Sequence, residues 1–324
     1  MRPPEFWRTD NGVARLLNPI GRLVGAITTR RVLNATPLRA SVPVISVGNL
    51  TVGGTGKTPV AMSIVTRLKA RGLAPAVILR GYGGTLPGPV AVDPARHTAE
   101  DVGDEALLHA ALAPTWVARS RAAGAVLATA AGASVIVLDD AHQHPSLAKD
   151  LSVIVIDGAA GFGNGRIVPA GPLRESVGDG LARTDAVVLM NDDRRNLASR
   201  LAAHVPVLRA NLVPGPEQEL LRGRRVVAFA GIGDPEKFFH TLRALGAQVV
   251  AKHPFDDHEG FGESDIQPIL DEAYSLNAIP VTTAKDAVRL PPDQRQQVNV
   301  LSVGVEWADV SALDALLDRV LRTS

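Results

Sequence analysis

The sequence predicts an α/β fold, in which a mostly parallel sheet carries helices on both faces and a smaller C-terminal α/β domain follows. Three observations support this fold class. Short β-branched apolar runs alternate with alanine- and leucine-rich stretches along most of the chain. Apolar runs placed between helices are typical of parallel strands that are buried on both faces. A stretch rich in proline, glycine and glutamate separates two such α/β units.

The first unit, predicted at residues 41–212, alternates strands with helices. Its strands are predicted at Val42–Val47, Ala76–Leu79, Ser134–Leu138, Ser152–Ile156, Asp185–Met190 and Val205–Arg209. Its helices are predicted at Thr58–Arg71, Asp104–Leu112, Ser120–Ala131 and Arg194–Ala203. β-Branched residues favour strands, whereas alanine and leucine favour helices, so local composition supports these assignments.

The second unit is predicted at residues 225–324, after a linker at residues 213–224. Its strands are predicted at Arg225–Ala230, Gln248–Lys252, Ile279–Thr283 and Val298–Val303. Its helices are predicted at Pro235–Leu245, Ser264–Leu276 and Val310–Arg322. Residues 1–40 precede both units and form a basic, helical N-terminal segment of their own.

The composition is that of an ordinary globular protein. The chain has 324 residues, of which 46% are hydrophobic and 21% charged, and its net charge is +1. A charge so close to zero gives no general attraction for nucleic acid, so no nucleic-acid partner is expected. The absence of cysteine excludes disulfides, thiolate metal sites and a cysteine nucleophile. No apolar stretch reaches the roughly 18 residues of a membrane span, and the N-terminus lacks the pattern of a signal peptide.

A glycine-rich segment between the first predicted strand and the first predicted helix has the pattern of a phosphate-binding loop. Glycines let backbone N–H groups face a phosphate, and the start of the helix adds positive potential. Lys57 is expected to reach the terminal phosphates, and the Thr58 hydroxyl to bind magnesium. The predicted nucleotide-binding residues are Thr51, Val52, Gly53, Gly54, Thr55, Gly56, Lys57 and Thr58.

This loop makes the predicted fold P-loop NTPase-like. It departs from the usual pattern in one place, because Thr51 occupies the position of the first glycine. The alternative is a glycine-rich turn with a chance Lys-Thr pair. The agreement of strand, loop and helix favours the phosphate-binding interpretation.

Two pairs of acidic residues are candidates for the magnesium side of the site. Asp139 and Asp140 end an apolar strand downstream of the loop, where parallel folds bring strand ends together. Taken alone, they could be a solvated strand end. Asp104 and Glu105 begin a predicted helix, and taken alone they are most simply an acidic first turn favoured by the helix dipole.

Three further segments are weak signals individually: Gly165–Glu175, His253–His258 and Thr283–Leu290. The segment that ends at His258 could be a surface histidine beside aspartates, or a metal site. It lacks the i, i+4 ligand pair of a zinc-binding helix, so zinc held by protein ligands alone is not favoured.

Taken in order along the chain, these segments resemble the motifs of the tetraacyldisaccharide 4'-kinase family. The resemblance covers nearly the whole chain, and the combination is far more specific than any single motif. The matching segments are Pro4–Trp7, Val47–Pro59, Arg80–Gly83, Gly103–Glu105, Asp139–Asp140 with Gln143–His144, Gly165–Glu175, Phe229–Gly233, Phe255–His258 and Lys285–Val288.

Several loop-shaping positions depart from the family pattern. The family's Asp-Asp-Gly-Phe-Gln-His-Arg reads Asp139-Asp-Ala-His-Gln-His-Pro145 in this chain. Ala106 and Ser176 stand where the family has proline, and Ala284 stands where it has glutamate. The acids and the phosphate loop are kept. The departures therefore concern local geometry and turnover more than the type of reaction.

The resemblance implies a kinase that transfers phosphate from ATP to the 4'-hydroxyl of a tetraacyldisaccharide 1-phosphate in lipid A biosynthesis. Its implied cofactors are ATP and Mg²⁺, and its implied partner is the lipid disaccharide substrate. Lys57 and magnesium would supply positive charge around the transferring phosphoryl group. The implied magnesium-side residues are Thr58, Glu105, Asp139 and Asp140.

The resemblance also implies roles for residues on either side of the cleft between the two units. Asp104 is the expected base for the sugar hydroxyl, and His258 is its expected partner. Because His258 belongs to the second predicted unit, closure of the cleft would complete the pair. Arg174 and Glu175 are expected near the nucleotide or the lipid headgroup.

The N-terminal segment has the pattern of a basic amphipathic helix. Residues 1–40 contain seven Arg against two acids, Glu5 and Asp10, which gives a local charge of +5. Such a helix fits the membrane interface and anionic lipid, whereas the alternative is a helix packed on the domain with solvated arginines. Pro19 is expected to kink or split it. The apolar stripe comprises Val13, Leu16, Leu17, Ile20, Leu23, Val24 and Ile27.

From these features we expect a peripheral protein on the cytoplasmic face of the bacterial inner membrane. The sequence indicates no oligomeric state. Two other classes of protein share the strand–loop–helix pattern: a P-loop GTPase or metallochaperone, and a non-catalytic protein that binds nucleotide or lipid. The Asn-Lys-x-Asp pattern typical of guanine recognition is missing from the nearest candidate, Asn191–Arg194.

Overall fold

The computed structural model describes residues 4–257 and 260–322. The strands are β1 (Val44–Gly48), β2 (Pro75–Leu79), β3 (Val90–Ala91), β4 (Thr115–Val117), β5 (Val135–Asp139), β6 (Leu151–Asp157), β7 (Ala186–Met190), β8 (Val207–Pro214), β9 (Arg225–Ala230), β10 (Gln248–Pro254), β11 (Ile279–Thr283), β12 (Asn299–Leu301) and β13 (Val303–Trp307). The α-helices are α1 (Gly12–Leu33), α2 (Lys57–Ala70), α3 (Ala99–Val102), α4 (Asp104–Ala110), α5 (Arg121–Ala130), α6 (Val177–Leu181), α7 (Leu197–Ala202), α8 (Pro235–Ala244), α9 (Glu263–Ser275), α10 (Ala284–Ala287), α11 (Pro292–Arg295) and α12 (Val310–Leu321). Short 3-10 helices lie at Glu5–Trp7 and Pro216–Leu220.

A nine-stranded sheet forms the larger unit, in the order β13-β8-β7-β6-β1-β5-β2-β4-β3. Its pairs are parallel except at the two edges, where β13 runs antiparallel to β8 and β3 antiparallel to β4. β1 lies in the middle, between β5 and β6, and is fully buried. Val47 of β1 pairs with Asp139 of β5. This register brings the start of the glycine-rich loop beside the acids that end β5.

A four-stranded parallel sheet forms the smaller unit, in the order β10-β9-β11-β12. Alternate residues of its strand β9 point to opposite faces, as the period of a strand requires. Val226 and Ala228 pack into a core with Phe239 of α8, while Val227 and Phe229 pack into a second core with α9. Both faces of the smaller sheet are therefore covered by helices.

The end of the chain returns to the larger unit, which differs from the predicted boundary at residues 225–324. The predicted strand Val298–Val303 is two short strands, of which β12 joins the smaller sheet and β13 the larger. Helix α12 packs Leu313 and Leu317 into the core of the larger sheet. Arg71, which directly follows α2, forms an ion pair with Asp318 at 2.8 Å. Local composition does not predict this return because it depends on pairing with a distant strand.

The predicted linker is also more ordered than expected, because β8 extends into it as far as Pro214 and a 3-10 helix follows at Pro216–Leu220. The backbone N–H of Gly215 donates to the carbonyl of Ser302 at 2.8 Å, and the Ser302 hydroxyl donates to Glu217. The two stretches that connect the units are therefore hydrogen-bonded to each other.

Helix α1 continues through Pro19 as a single helix, so the predicted split at Pro19 is wrong, whereas the predicted kink stays a prediction. Asn11 caps its start by accepting a hydrogen bond from the N–H of Ala14. Proline removes the hydrogen bond to the carbonyl of Arg15, which lies on the exposed part of this helix where water can replace it. In the described parts of the chain, no helix is both long and apolar enough to cross a membrane.

Candidate active site

The glycine-rich loop runs from the end of β1 to the start of α2 and is held by hydrogen bonds from within and outside. Asn49 donates from Nδ2 to the carbonyl of Gly53 at 3.4 Å and to the Thr55 hydroxyl at 3.3 Å. Gly53 and Gly56 have φ values of 115° and 87°, which favour glycine. The N–H of Val52 donates to Pro172 at 2.8 Å. The loop is thus curved around exposed glycines, as phosphate binding requires.

Two cations meet at the mouth of the loop around Asp140. Lys57 Nζ lies 3.8 Å from Asp140 Oδ2, and the Arg174 guanidinium donates to both carboxylate oxygens at 2.9–3.2 Å. Arg174 is held in place because its backbone N–H donates to the carbonyl of Leu50 in the loop. Asp140 itself has a φ of 52°, an uncommon value for a residue with a side chain. Lys57 and Arg174 therefore place positive charge beside the glycine-rich loop, where the negative charge of a bound phosphate would have to be balanced.

Behind this cluster, Asp139 is buried and hydrogen-bonded to a histidine. The Nε2 atom of His109 lies 2.8 Å from Asp139 Oδ2, and both side chains are fully buried. Burial opposes ionisation of Asp139, but the hydrogen bond from His109 and the charge of Lys57 outweigh it and hold its pKa below the usual range. Asp139 therefore brings a buried negative charge to the floor of the loop.

Helix α4 brings Asp104 and Glu105 to the same place. Asp104 is almost fully buried, and its Oδ1 accepts the backbone N–H of Glu105 at 2.8 Å. Burial and the negative charge of Asp139 raise the pKa of Glu105 to about 7, while Lys57 opposes that shift. α4 and β5 are joined directly here by the contact between His109 and Asp139.

The smaller unit reaches this site through Lys285 of α10. Lys285 Nζ lies 3.6 Å from Asp104 Oδ2 and 3.2 Å from Asp257 Oδ1. Asp104 belongs to the larger unit, whereas Asp257 follows β10 of the smaller unit. Lys285 therefore links Asp104, the predicted base, to the loop after β10. That loop belongs to the smaller unit, which was predicted to face Asp104.

The chain matches the family model for tetraacyldisaccharide-1-P 4'-kinase over residues 13–322. It belongs to this family. A tetraacyldisaccharide 4'-kinase from Rhodospirillum rubrum is 58% identical over 99% of this chain and 98% of its own length. One from Rhodospirillum centenum is 54% identical over 99% of this chain and 97% of its own length. The crystal structure of LpxK from Aquifex aeolicus in complex with ATP has a TM-score of 0.76, with 26% identity over 95% of this chain and 99% of that one.

Membership of the 4'-kinase family confirms the predicted family, the predicted α/β P-loop fold class and the predicted kinase activity. It favours a kinase over the GTPase, metallochaperone and non-catalytic alternatives left open by the sequence. The roles of individual residues remain predictions that the geometry supports to different degrees. His258 lies outside the described residues, so its predicted pairing with Asp104 stays a prediction.

The structure corrects the predicted role of Glu175. This side chain is fully buried, forms an ion pair with Arg183 and accepts a hydrogen bond from Gln143 Nε2 at 2.9 Å. Gln143 also donates to the carbonyl of Asn49 at 2.8 Å. Glu175 has no surface left for a nucleotide or a lipid headgroup, so it supports the 4'-kinase site from beneath. Its neighbour Arg174 does point to the loop.

The altered segment Ala141–Pro145 keeps an ordered shape. His142, which replaces the phenylalanine of the 4'-kinase pattern, is buried between the Ser152 hydroxyl at 3.1 Å and the Gly180 carbonyl at 3.2 Å. Burial and the charges of Lys149 and Arg183 lower its pKa to about 3, so the ring is neutral at pH 7. His142 therefore fills an apolar position as a neutral, hydrogen-bonded ring.

The site fits magnesium in the way that kinases hold it. In the described ranges no group of three or more His, Asp and Glu side chains could hold a metal ion by itself. Mg²⁺ needs only one or two carboxylates when phosphate and water supply the other ligands. Asp139 Oδ1 is buried and has no hydrogen-bond partner among the described residues, so this oxygen is suited to act as a ligand of Mg²⁺. Asp140, also predicted as a ligand, pairs with Arg174 and Lys57, and its binding to magnesium stays a prediction.

Helix α1 lies beside this family's site and leaves its apolar stripe exposed. It packs on the larger unit through small residues, since Ala14, Gly21 and Gly25 are buried and a Cβ at Gly25 would meet Ile167 at 2.5 Å. The exposed fractions of stripe residues are 79% for Leu16, 62% for Leu23 and 60% for Ile27, with Leu17 half-buried. The stripe is therefore not part of the core.

Sequence reasoning missed two residues of the site. His109 lies four residues after Glu105, so both face the same side of α4, and that helical spacing was the available signal. Lys285 lies inside a recognised motif, but its contact with Asp104 depends on how the two units pack. A one-dimensional pattern holds no information on that contact.

Proposed function

We propose that this chain transfers the γ-phosphate of ATP to the 4'-hydroxyl of a tetraacyldisaccharide 1-phosphate, with Mg²⁺ as the metal cofactor. The family match over residues 13–322 supports the substrate. One structural observation carries the chemistry: Lys57 of the glycine-rich loop lies 3.8 Å from Asp140 at the end of β5, and α4, which begins with Asp104 and Glu105, contacts the adjacent Asp139 through His109 at 2.8 Å. This is the grouping of charge and acid that phosphoryl transfer requires.

The nucleotide would be held by the loop from Thr51 to Thr58. Backbone groups of the exposed glycines and the start of α2 bind phosphate oxygens, and Lys57 balances charge on the terminal phosphates. Arg174, now paired with Asp140, lies close enough to exchange that carboxylate for phosphate oxygens. Bound magnesium supplies additional positive charge, and Thr58, Glu105 and Asp139 are the residues that would hold it.

Asp104 is our candidate for the base. Its Oδ1 is fixed by the N–H of Glu105 at the start of α4, and its Oδ2 lies 3.6 Å from Lys285 Nζ. A sugar hydroxyl is a poor nucleophile, so a carboxylate that accepts its proton as the new P–O bond forms accelerates the reaction. Lys285 and, in our proposal, His258 reach Asp104 from the smaller unit and orient it.

The lipid would approach along α1. The exposed apolar stripe can enter the membrane interface, and Arg22 and Arg30 line a groove of about 740 Å³ between α1 and the segment around Ile167. Arginines beside an apolar surface attract anionic lipids. We propose that the protein acts as a peripheral enzyme on the cytoplasmic face of the inner membrane, where this contact delivers the disaccharide to Asp104.

The test is transfer from labelled ATP to purified acceptor by wild-type protein and by Lys57→Ala. We expect labelled lipid with wild type and none with the variant, because Lys57 acts on phosphate charge and contributes little to the core. Excess unlabelled ATP should compete with the label, and excess GTP should not. Wild-type protein that binds ATP but never labels the lipid would support the non-catalytic alternative instead. Near-normal transfer by a folded Lys57→Ala protein would refute the proposed site.

A further inference from the structure

The hydrogen bond between His109 and Asp139 makes the two oxygens of the Asp139 carboxylate unequal. Oδ2 lies 2.8 Å from His109 Nε2, whereas Oδ1 is buried without a hydrogen-bond partner among the described residues. A carboxylate that binds a metal ion is ionised and can only accept hydrogen bonds, so in the 2.8 Å contact Nε2 carries the proton and donates it. One oxygen is thereby committed to the protein and the other is left for a ligand.

Fixing a carboxylate in this way matters for magnesium. Mg²⁺ tolerates little departure from octahedral geometry, and a carboxylate that can rotate offers it two competing oxygens. Groups that hydrogen-bond the ligands of a metal orient those ligands and tune their affinity. The other ring nitrogen of His109, Nδ1, is buried without a hydrogen-bond partner in the described part of the chain. The polar contact of His109 is therefore directed at Asp139.

The location of His109 adds a second consequence. Asp104, Glu105 and His109 all lie on α4, a helix of seven residues. The helix thus carries the proposed base and one proposed magnesium residue, and through His109 it also sets the orientation of Asp139 on β5. A change in the position of α4 would shift all three together.

We propose that His109 is a positioning residue that holds Asp139 through Oδ2 so that Oδ1 serves the magnesium of bound MgATP. This inference rests on the proposed function for the identity of the metal and nucleotide. It assigns His109 no contact with ATP, with magnesium or with the lipid. Its effect is therefore expected on magnesium dependence, while binding of metal-free nucleotide is kept.

The experiment is a titration of full-length protein with a fluorescent, non-hydrolysable ATP analogue, at rising magnesium concentrations and in excess chelator. His109→Leu removes the donor at similar volume, and His109→Gln returns an N–H near the position of Nε2. His109→Asn is polar but too short to reach Asp139. Thr282→Val is the matched control, because it removes another buried hydrogen bond, from the Thr282 hydroxyl to the Phe229 carbonyl, in the smaller unit.

We expect His109→Leu and His109→Asn to raise the magnesium concentration for half-maximal binding by about 10- to 100-fold, the usual cost of losing a group that orients a metal ligand. Binding in chelator should stay within about twofold of wild type in both. His109→Gln should restore most of the magnesium dependence, and Thr282→Val should leave it unchanged.

Three results would overturn the inference. They are a folded His109→Leu protein with wild-type magnesium dependence, a His109→Gln protein as defective as His109→Leu, and an equal loss of binding with and without magnesium. The assay needs no lipid acceptor. If wild-type protein shows magnesium-dependent nucleotide binding but no lipid phosphorylation, the proposed function fails while the role of His109 stands.

Discussion

The exposed apolar stripe of α1 is expected to bind the membrane, and the exposed fractions of its side chains set how much binding their replacement would remove. We consider the variant with Leu16→Ser, Ile20→Ser, Leu23→Ser and Ile27→Ser. These side chains are 79%, 52%, 62% and 60% exposed, so their removal costs little in the folded protein. Leu17 is left unchanged because it is half-buried and its loss would also affect folding.

The expected loss of membrane binding follows from the area that these side chains can transfer. Full burial of a leucine or isoleucine contributes about 1.5–3 kcal/mol, and these four can bury a little over half of their surface. Together they would contribute about 4–8 kcal/mol to membrane binding, or roughly three to five orders of magnitude in the partition constant. Even a fraction of this value would move the protein from vesicle pellet to supernatant.

The assay is cosedimentation with vesicles of anionic and of neutral lipid, with thermal unfolding as a check of the fold. A variant with Leu220→Ser and Tyr274→Ser is the control, because both residues are well exposed and lie in the connecting segment and the smaller unit, away from α1. The α1 variant should lose vesicle binding and the control should keep it. An α1 variant that folds and still sediments like wild type would refute the reasoning.

Three further predictions concern the site and its support. Asp104→Asn should lower kcat by about 10²–10⁴-fold with ATP binding intact. The double variant with His258→Ala should lose less kcat than the product of the two single losses, and losses that multiply would rule out the pair. Lys285→Ala should lower kcat about tenfold, and Lys285→Arg should lower it less because the positive charge beside Asp104 is kept; equal kcat in both would exclude an electrostatic role. The neutral His142 should make unfolding stability fall by about 2 kcal/mol from pH 7 to pH 5, because the unfolded state takes up a proton below its pKa of 6.5 and the folded state does not until about pH 3. Denaturant titrations should show a smaller fall in His142→Phe, and an identical fall in both proteins would show that His142 is not responsible.

The sequence predicted the parts of this protein that local chemistry determines. The strand Arg225–Ala230 was predicted with its observed bounds, because a β-branched apolar run between turn residues is a local signal. The glycine-rich loop was predicted for the same reason, since strand, glycines and helix start are contiguous in the chain. The family motifs then indicated which acids accompany the loop.

The parts that were missed depend on three-dimensional packing. Strand β13 and helix α12 belong to the larger unit because they pair and pack with segments far away in the chain. Glu175 is polar and lies in a motif, which suggested a ligand contact, but Arg183 and Gln143 enclose it. The spacing of His109 from Glu105 was a local signal, but its contact with Asp139 depends on how α4 packs beside β5.

We propose that Asp104 and the glycine-rich loop act together to phosphorylate one hydroxyl of the lipid disaccharide. The most direct measurement is a single-turnover reaction of wild-type protein with MgATP and the tetraacyldisaccharide 1-phosphate, with the new phosphate located on the product by phosphorus and proton NMR. Asp104→Asn, which binds ATP, serves as the control. The account predicts one new phosphate on the 4'-oxygen with wild type and a much slower appearance of the same product with Asp104→Asn. Phosphate at another oxygen, or equal rates in the two proteins, would contradict it.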